Sequence, residues 1–178
     1  MSVMIALPCH GGIVSEKTTM SLFNLGKLLV RNNIPHGLLT QANSSLITIG
    51  RSRCANFFIN NTEHEYLFFL DSDIGFNPED VLKLLSHQVD IVSGAYPMKT
   101  IPIRYCCDVL QPEQRKGDLI KISGNGMGFV LIHRSVFNNM AKNFPELKYT
   151  PPTNDSSYPV SEAEFNNSYH YFMEHKEN

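Results

Sequence analysis

The sequence predicts an α/β protein with a mixed sheet, mainly parallel in its N-terminal half, and helices on both faces. Three observations carry this expectation. Strand-length apolar runs alternate with helix-length segments from residue 3 to residue 97 in the order β-α-β-α-β-α-β, which favours parallel strands joined by right-handed crossovers. The run YLFFL at residues 66–70 is apolar on both faces, as a strand in the middle of such a sheet must be. The segment 77–88, NPEDVLKLLSHQ, has Asn77 placed to cap, Pro78 at the first helical position and Glu79 and Asp80 in the first turn, where acids complement the helix dipole.

The remaining elements follow along the chain. VMIALPC (3–9) reads as a buried strand that ends in a Gly-rich loop. Residues 15–33 read as a helix capped by Ser15 and ended by Asn32 and Asn33, with Met20, Phe23, Leu25, Leu28 and Leu29 at near-helical spacing. Residues 36–42 form the second strand and 45–50, SLITIG, a short extended piece. A helix over 51–61 puts Cys54, Phe57 and Phe58 on one side, and residues 89–97 make a fourth strand with a turn. The second half reads as strands at 103–110, 118–123 and 126–134 followed by a short helix at 135–143, more mixed or antiparallel in character. From Pro145 onward the chain is polar and rich in Pro and Asn, which predicts loop with at most one short helix.

The 178 residues are read as one domain, with 1–97 a nucleotide-binding half, 98–147 a second half lining the site, and 148–178 a polar tail. A formal charge of −2 and scattered Lys and Arg give no electrostatic reason to expect nucleic acid or an anionic membrane as partner. No stretch reaches the length of a membrane span, and the N-terminus lacks the basic region of a signal peptide. Cys9, Cys54, Cys106 and Cys107 complete neither a C-x-x-C nor a zinc pattern, and read as small hydrophobes in a reducing, cytoplasmic compartment.

The chemistry concentrates in YLFFLDSDIGF, residues 66–76. In an open α/β sheet, ligands bind beyond the carboxyl ends of the strands. Asp71 and Asp73 lie there; two residues apart in an extended chain, they would share a face at about 6–7 Å. Two such carboxylates repel, and burial of either without a partner is costly. A divalent cation resolves the conflict: Mg²⁺ or Mn²⁺ takes one or two protein carboxylates and completes its shell with substrate phosphates. Two enzyme classes use a D-x-D after an apolar strand. In dehalogenase-like phosphatases the first Asp is a nucleophile, but there the motif opens the domain and continues to Thr or Val, where this chain has Gly75. Nucleotide-sugar transferases place it after a β-α-β-α-β half, as here.

The blocks IALPCHGG, GRSRCANFFIN, YLFFLDSDIGFNPEDVLKLL, DIVSGAYPMK and GNGMGFVLIHRSVF, taken in order over residues 3–147, resemble GT-A-fold glycosyltransferases, which are Rossmann-like. Within that group the chain is similar to small viral and bacterial enzymes, including those with which large algal viruses glycosylate capsid protein. The resemblance implies a nucleotide-diphosphate sugar donor, UDP-linked, a glycan or glycoprotein acceptor, and Mn²⁺ or Mg²⁺ as cofactor. It places Asp73 on the metal with Asp71 beside it near the ribose, and Ser72 between them. It places Pro8, Cys9 and His10 at the base and ribose, Arg53 near the nucleotide in preference to Arg51, and Gly126, Met127 and Gly128 along the donor sugar. Gly124, Gly126 and Gly128 do not follow a dinucleotide-binding spacing and precede a strand, so they suit close backbone approach instead. An inverting transferase also needs a carboxylate as general base. The family's late acidic segment is matched poorly by PVSEAEF, which leaves Glu162 and Glu164 as weak candidates, and by rough alignment the chain ends before that segment. His170 and His175 read as tail residues. A binding module without catalysis is the non-enzyme alternative.

Overall fold

A computed structural model describes residues 1–42, 46–151 and 159–172. In chain order it contains β1 (Val3–Cys9), α1 (Glu16–Arg31), β2 (His36–Ala42), α2 (Ile47–Asn61), β3 (Tyr66–Leu70), α3 (Pro78–Ser86) and β4 (Ile91–Ser93). The short strands β5 (Cys107–Val109), β6 (Arg115–Lys116), β7 (Leu119–Ile120) and β8 (Ile122–Asn125) follow. The chain continues with β9 (Phe129–His133), α4 (Arg134–Asn143), β10 (Lys148–Tyr149), α5 (Glu162–Asn166) and β11 (Ser168–Tyr169).

Five strands build the central sheet in the order β2-β1-β3-β9-β4. β1 pairs in parallel with β2 and β3, whereas β9 runs antiparallel between β3 and β4. The mixed α/β sheet with a parallel N-terminal part is therefore the observed architecture. Alternate residues of β1, β3 and β9 feed two cores. Val3, Ile5, Leu7, Phe68 and Leu70 meet Leu25 and Leu29 of α1 and Val81 and Leu85 of α3. Met4, Ala6, Leu67, Phe69, Val130 and Ile132 meet Cys54, Ala55 and Phe58 of α2 and Phe137 of α4.

Several expected elements differ. Residues 47–50 are helical rather than extended, and only Leu46 before them keeps extended backbone angles. α2 begins at Ile47, and the Ile/Thr alternation that suggests a strand is overridden because Gly50, Cys54 and Phe58 form a buried face toward the sheet. Ser45 lies outside the described residues. The strand expected over 118–123 divides at Lys121, since β7 turns back on β6 through Gly117 (φ +59°) while β8 pairs with β5. The one expected over 103–110 contracts to β5, and β9 starts only at Phe129.

In α1, Met20 and Phe23 are exposed, and the buried stripe is Thr18, Ser21, Leu25 and Leu29. The hydroxyls are there for a reason. The Thr18 hydroxyl shares its one proton between the Ser72 and Ile74 carbonyls, at 3.1 and 3.0 Å, and Ser21 Oγ donates to the Phe76 carbonyl at 2.7 Å. That face of α1 packs on a loop whose carbonyls need donors, so a purely apolar stripe would leave them unsatisfied.

The expected tail loop is partly structured too. Asn56, buried on α2, donates to the Tyr169 carbonyl at 3.0 Å and accepts from the Tyr169 N–H at 2.9 Å, in effect pairing with β11 as a strand would. Tyr171 and Phe172 then pack on Phe137.

Arg134 ties the two halves together. Its guanidinium lies 4.2 Å from the Phe58 ring and donates to the carbonyls of Phe58, Ile59, Thr62 and His64, closing the end of α2. Cations suit a helix C-terminus, and this one meets carbonyls that no amide reaches. Arg134→Ala should cost about 3 kcal/mol in urea denaturation, and Arg134→Lys should recover little, because an ammonium cannot spread over four carbonyls.

Candidate functional site

The sheet's carboxyl edge carries an acidic turn at the end of β3. β3 ends at Leu70, and the Ile74 N–H donates to the Asp71 carbonyl, so residues 71–74 turn rather than continue extended. Asp71 and Asp73 therefore do not follow one another along an extended strand as expected, and each meets a different cation. The Asp71 N–H donates to the Gly128 carbonyl at 2.9 Å, and its Oδ1 accepts from Arg51 Nη2 at 2.8 Å, a half-buried ion pair. Asp73 is more open, and its Oδ2 meets Lys99 Nζ at 2.5 Å. Asp73 holds the Lys99 ammonium above its usual range. The Ser72 carbonyl accepts from the Ser15 N–H and the Thr18 hydroxyl, which fixes the turn to the start of α1.

Arg51 has one further property. Its Nε is buried and has no hydrogen-bond partner among the described residues. A buried guanidinium N–H without an acceptor is costly unless a ligand supplies one. Arg53, two residues on, turns to the opposite side of α2. Burial pushes the Tyr149 phenol up, and the charge of Arg53 pulls it partly back, so Arg53 lies on the Tyr149 side.

A cavity of about 170 Å³ lies at the ends of β1 and β2, lined by Pro8, Cys9, His10, Gln41, Ile47 and Gly50. His10 opens a single 3-10 turn with Gly11 and Gly12, both at positive φ (+65° and +70°), a conformation that other residues enter only at a cost. Cys9 is buried, its Sγ donates to the Gln41 carbonyl, and burial pushes its thiol up. A larger cleft of about 430 Å³ opens beyond Asp73, between α3, β4 and the β6–β7 turn. Phe76, Leu84, Val92 and Phe129 line its apolar part, and Asp80, Lys83, His87 and Asp118 its polar part.

Gly126 and Gly128 are crowded by the protein itself. A Cβ at Gly128 would lie 2.6 Å from Asp71 Oδ2 and 2.7 Å from the Tyr96 hydroxyl; one at Gly126 would lie 2.2 Å from Cys106 Sγ. The Gly128 N–H donates to the Tyr96 hydroxyl, whose titration is pushed up to about 12, first by burial and then by its hydrogen bond with Cys106. Met127 faces away, into the second core. Tyr96 and Lys99 complete this cluster, and no spacing pattern marks either in the sequence.

The two glutamates separate. Glu164 is buried, and its carboxylate accepts from the N–H and hydroxyl of Ser161 in a capping box that starts α5; Glu162 is exposed. His170 stacks on Tyr149 at 3.8 Å, and His175 lies outside the described residues. Among the described residues no three His, Cys, Asp or Glu side chains converge on one point. The protein donors at the turn are thus at most Asp71 and Asp73. That set fits an open Mg²⁺ or Mn²⁺ site of the kind that takes its other oxygens from water and phosphate, once Lys99 yields Asp73.

No family model matches the sequence, and no curated protein matches it either. Among solved structures the chain is similar to the crystal structure of A197 from STIV, at 22% identity over 78% of this chain and 68% of that one, with a TM-score of 0.52. It is more distantly similar to 4-diphosphocytidyl-2C-methyl-D-erythritol synthase from Anaerococcus prevotii DSM 20548, at 10% identity over 87% of this chain and 81% of that one, TM-score 0.48. The third is a glycosyltransferase involved in the glycosylation of the major capsid of PBCV-1, at 14% identity over 89% of this chain and 72% of that one, TM-score 0.42. The first shows a common fold; the other two are too remote to support an inference. No helix among the described residues is long and apolar enough to cross a membrane.

The crowding at Gly128 gives a direct test. Gly128→Ala should destabilise by about 2 kcal/mol in chemical denaturation, since its methyl meets Asp71 and Tyr96 in a packed setting. Gly124→Ala should cost well under half as much, because its nearest neighbour is the exposed Asp108 carboxylate at 3.1 Å, which can move.

Proposed function

We propose that the chain is a metal-dependent glycosyltransferase that takes a sugar from a nucleotide-diphosphate donor, UDP-linked, and passes it to a glycan or protein acceptor. The observation that carries this reading is Arg51: one guanidinium nitrogen is oriented by Asp71, while the buried Nε has no acceptor among the described residues. A phosphate oxygen is the acceptor that a fork of this kind matches best. The neighbouring cavity at Pro8, Cys9 and His10 takes the base and ribose, and Asp73, with Asp71 behind it, holds Mn²⁺ or Mg²⁺ against the diphosphate. When bound, the ion would offset the charge that develops on the diphosphate leaving group. The crowded glycines keep the wall at Asp71 thin, so that the chain's backbone rather than a side chain borders the sugar. The larger cleft beyond Asp73 receives the acceptor.

Glu164 favours a second reading, in which the protein binds a nucleotide sugar and does not transfer it. Its carboxylate is committed to the capping box, and general-base duty would require breaking that box.

A thermal-shift screen of nucleotides and nucleotide sugars, with and without Mn²⁺, tests both. The expected result is stabilisation by UDP that requires the metal and disappears in Asp73→Ala, reaching about 2.7 kcal/mol at a hundred times the dissociation constant. Arg51→Gln should weaken this metal-dependent response to the nucleotide. No response to any nucleotide, or a response that Asp73→Ala leaves intact, would refute the proposal. A donor that binds but is neither hydrolysed nor transferred would assign the protein to the second reading.

A further inference from the structure

The segment from Tyr96 to Cys106 is a preformed hairpin whose tip projects from the molecule. The Cys106 N–H donates to the Tyr96 carbonyl at 3.0 Å, and the Met98 N–H to the Arg104 carbonyl at 2.7 Å; Pro97 and Tyr105 face each other in an antiparallel bridge. Its apolar side chains point outward. Ile101 is 101% exposed, Ile103 70%, Tyr105 60% and Met98 45%. Four exposed apolar side chains within eight residues are unusual on a soluble surface and mark a site of contact.

We propose that this hairpin inserts into the interfacial region of a membrane carrying anionic lipid. Three features select a bilayer over a protein partner. First, the apolar side chains stand on a narrow ridge, whereas protein hot spots sit in packed, complementary pockets; a bilayer encloses a ridge without a matching pocket. Second, the tip satisfies part of its own backbone. The Thr100 N–H donates to the Met98 carbonyl, the Thr100 hydroxyl donates to the Pro102 carbonyl, and Pro102 has no N–H to desolvate. That lowers the cost of entering a medium poor in hydrogen-bond partners.

Third, the charge is one-signed. Between Tyr96 and Cys106 the hairpin itself carries Lys99 and Arg104 and no Asp or Glu, with the nearest acids in sequence at Asp90 and Asp108. Lys99 is partly balanced by Asp73, while Arg104 is exposed and forms no ion pair among the described residues. Long cationic side chains beside an apolar tip can lay their stems along it and keep their charges at the headgroups, and Tyr105 at the base suits the same layer. The Lys99–Asp73 contact places the hairpin against the acidic turn, so insertion would hold that turn close to the membrane surface. The inference rests on the hairpin alone and stands whether or not the turn binds a nucleotide sugar.

Co-sedimentation of the full chain with phosphatidylcholine vesicles, and with vesicles that mix phosphatidylcholine and phosphatidylserine, provides the test. The expected result is binding to the mixed vesicles that weakens as salt is raised. The Ile101→Asp, Ile103→Asp double variant should lose binding at least tenfold. Both side chains are exposed, so its melting temperature should match that of the unaltered protein. Arg104→Glu should lose binding several-fold on the mixed vesicles and little on phosphatidylcholine alone. Failure of the unaltered protein to bind the mixed vesicles would overturn the proposal, as would undiminished binding by the double variant. Sedimentation velocity on the same samples separates a further outcome: a concentration-dependent dimer abolished by the double variant, without vesicle binding, would assign the hairpin to a second copy of the chain and overturn the lipid reading.

Discussion

β9 runs antiparallel between β3 and β4, and the form of the sheet's carboxyl edge follows from that placement. Because β9 opposes its neighbours, its N-terminal end lies where theirs end. The turn that precedes it, Gly126 to Gly128, therefore arrives beside the last residue of β3 and the start of the acidic turn. The Asp71 N–H finds its acceptor in the Gly128 carbonyl, and the Gly94 N–H finds one in the Phe129 carbonyl. Without an inserted strand those amides would face solvent. With a parallel strand inserted instead, the opposite end of that strand would lie there, and the glycine turn would be at the far side of the molecule.

The acidic turn is consequently held from three directions by groups that are not themselves charged. α1 supplies the Thr18 and Ser21 hydroxyls, the turn before β9 supplies the Gly128 carbonyl, and β4 continues into Tyr96, whose hydroxyl accepts from the Gly128 N–H. Each bond fixes backbone rather than carboxylate, so the side chains of Asp71 and Asp73 remain available for charge. Arg51 and Lys99 meet them unequally. Arg51 is 14% exposed at the side chain and rigidly set on a helix, whereas Lys99 is 86% exposed on a projecting hairpin. An exposed pair of this kind contributes little to stability and exchanges readily. The asymmetry makes Asp71 a structural anchor and leaves Asp73 as the carboxylate that can change partners.

Much of this was legible in the sequence, and the limits have identifiable causes. β1, β2, β3, α1 and α3 follow from apolar runs and helix-start residues; Ser15 does accept from the Thr18 N–H as its position suggests, whereas Asn77 stands at the start of α3 without a side-chain cap hydrogen bond. The hydroxyl face of α1 was not legible, since periodicity weighs apolar residues and treats Thr18 and Ser21 as solvent-facing. α2 was read too short because β-branched residues at its start resemble a strand, and only burial against β1 and β2 decides otherwise. The second half was harder still: β5 to β8 are two to four residues long, too brief to leave a period. At the site, the D-x-D and its setting were visible. Whether Arg51 or Arg53 reaches Asp71 depends on the helical phase of α2, and hence on where that helix begins. Tyr96 carries no local signal, because its role is defined by Gly128, thirty-two residues away.

The late position of β9 also bears on how the chain reaches its native state. On the ribosome, YLFFL at residues 66–70 emerges long before its partner at 129–133, so for that interval a wholly apolar strand has one open flank. Unpaired edges of this composition recruit other chains. The second core is sealed later again, when Tyr171 and Phe172 settle on Phe137. Nascent chains halted between these points would expose both an unfinished sheet and a bare aromatic layer.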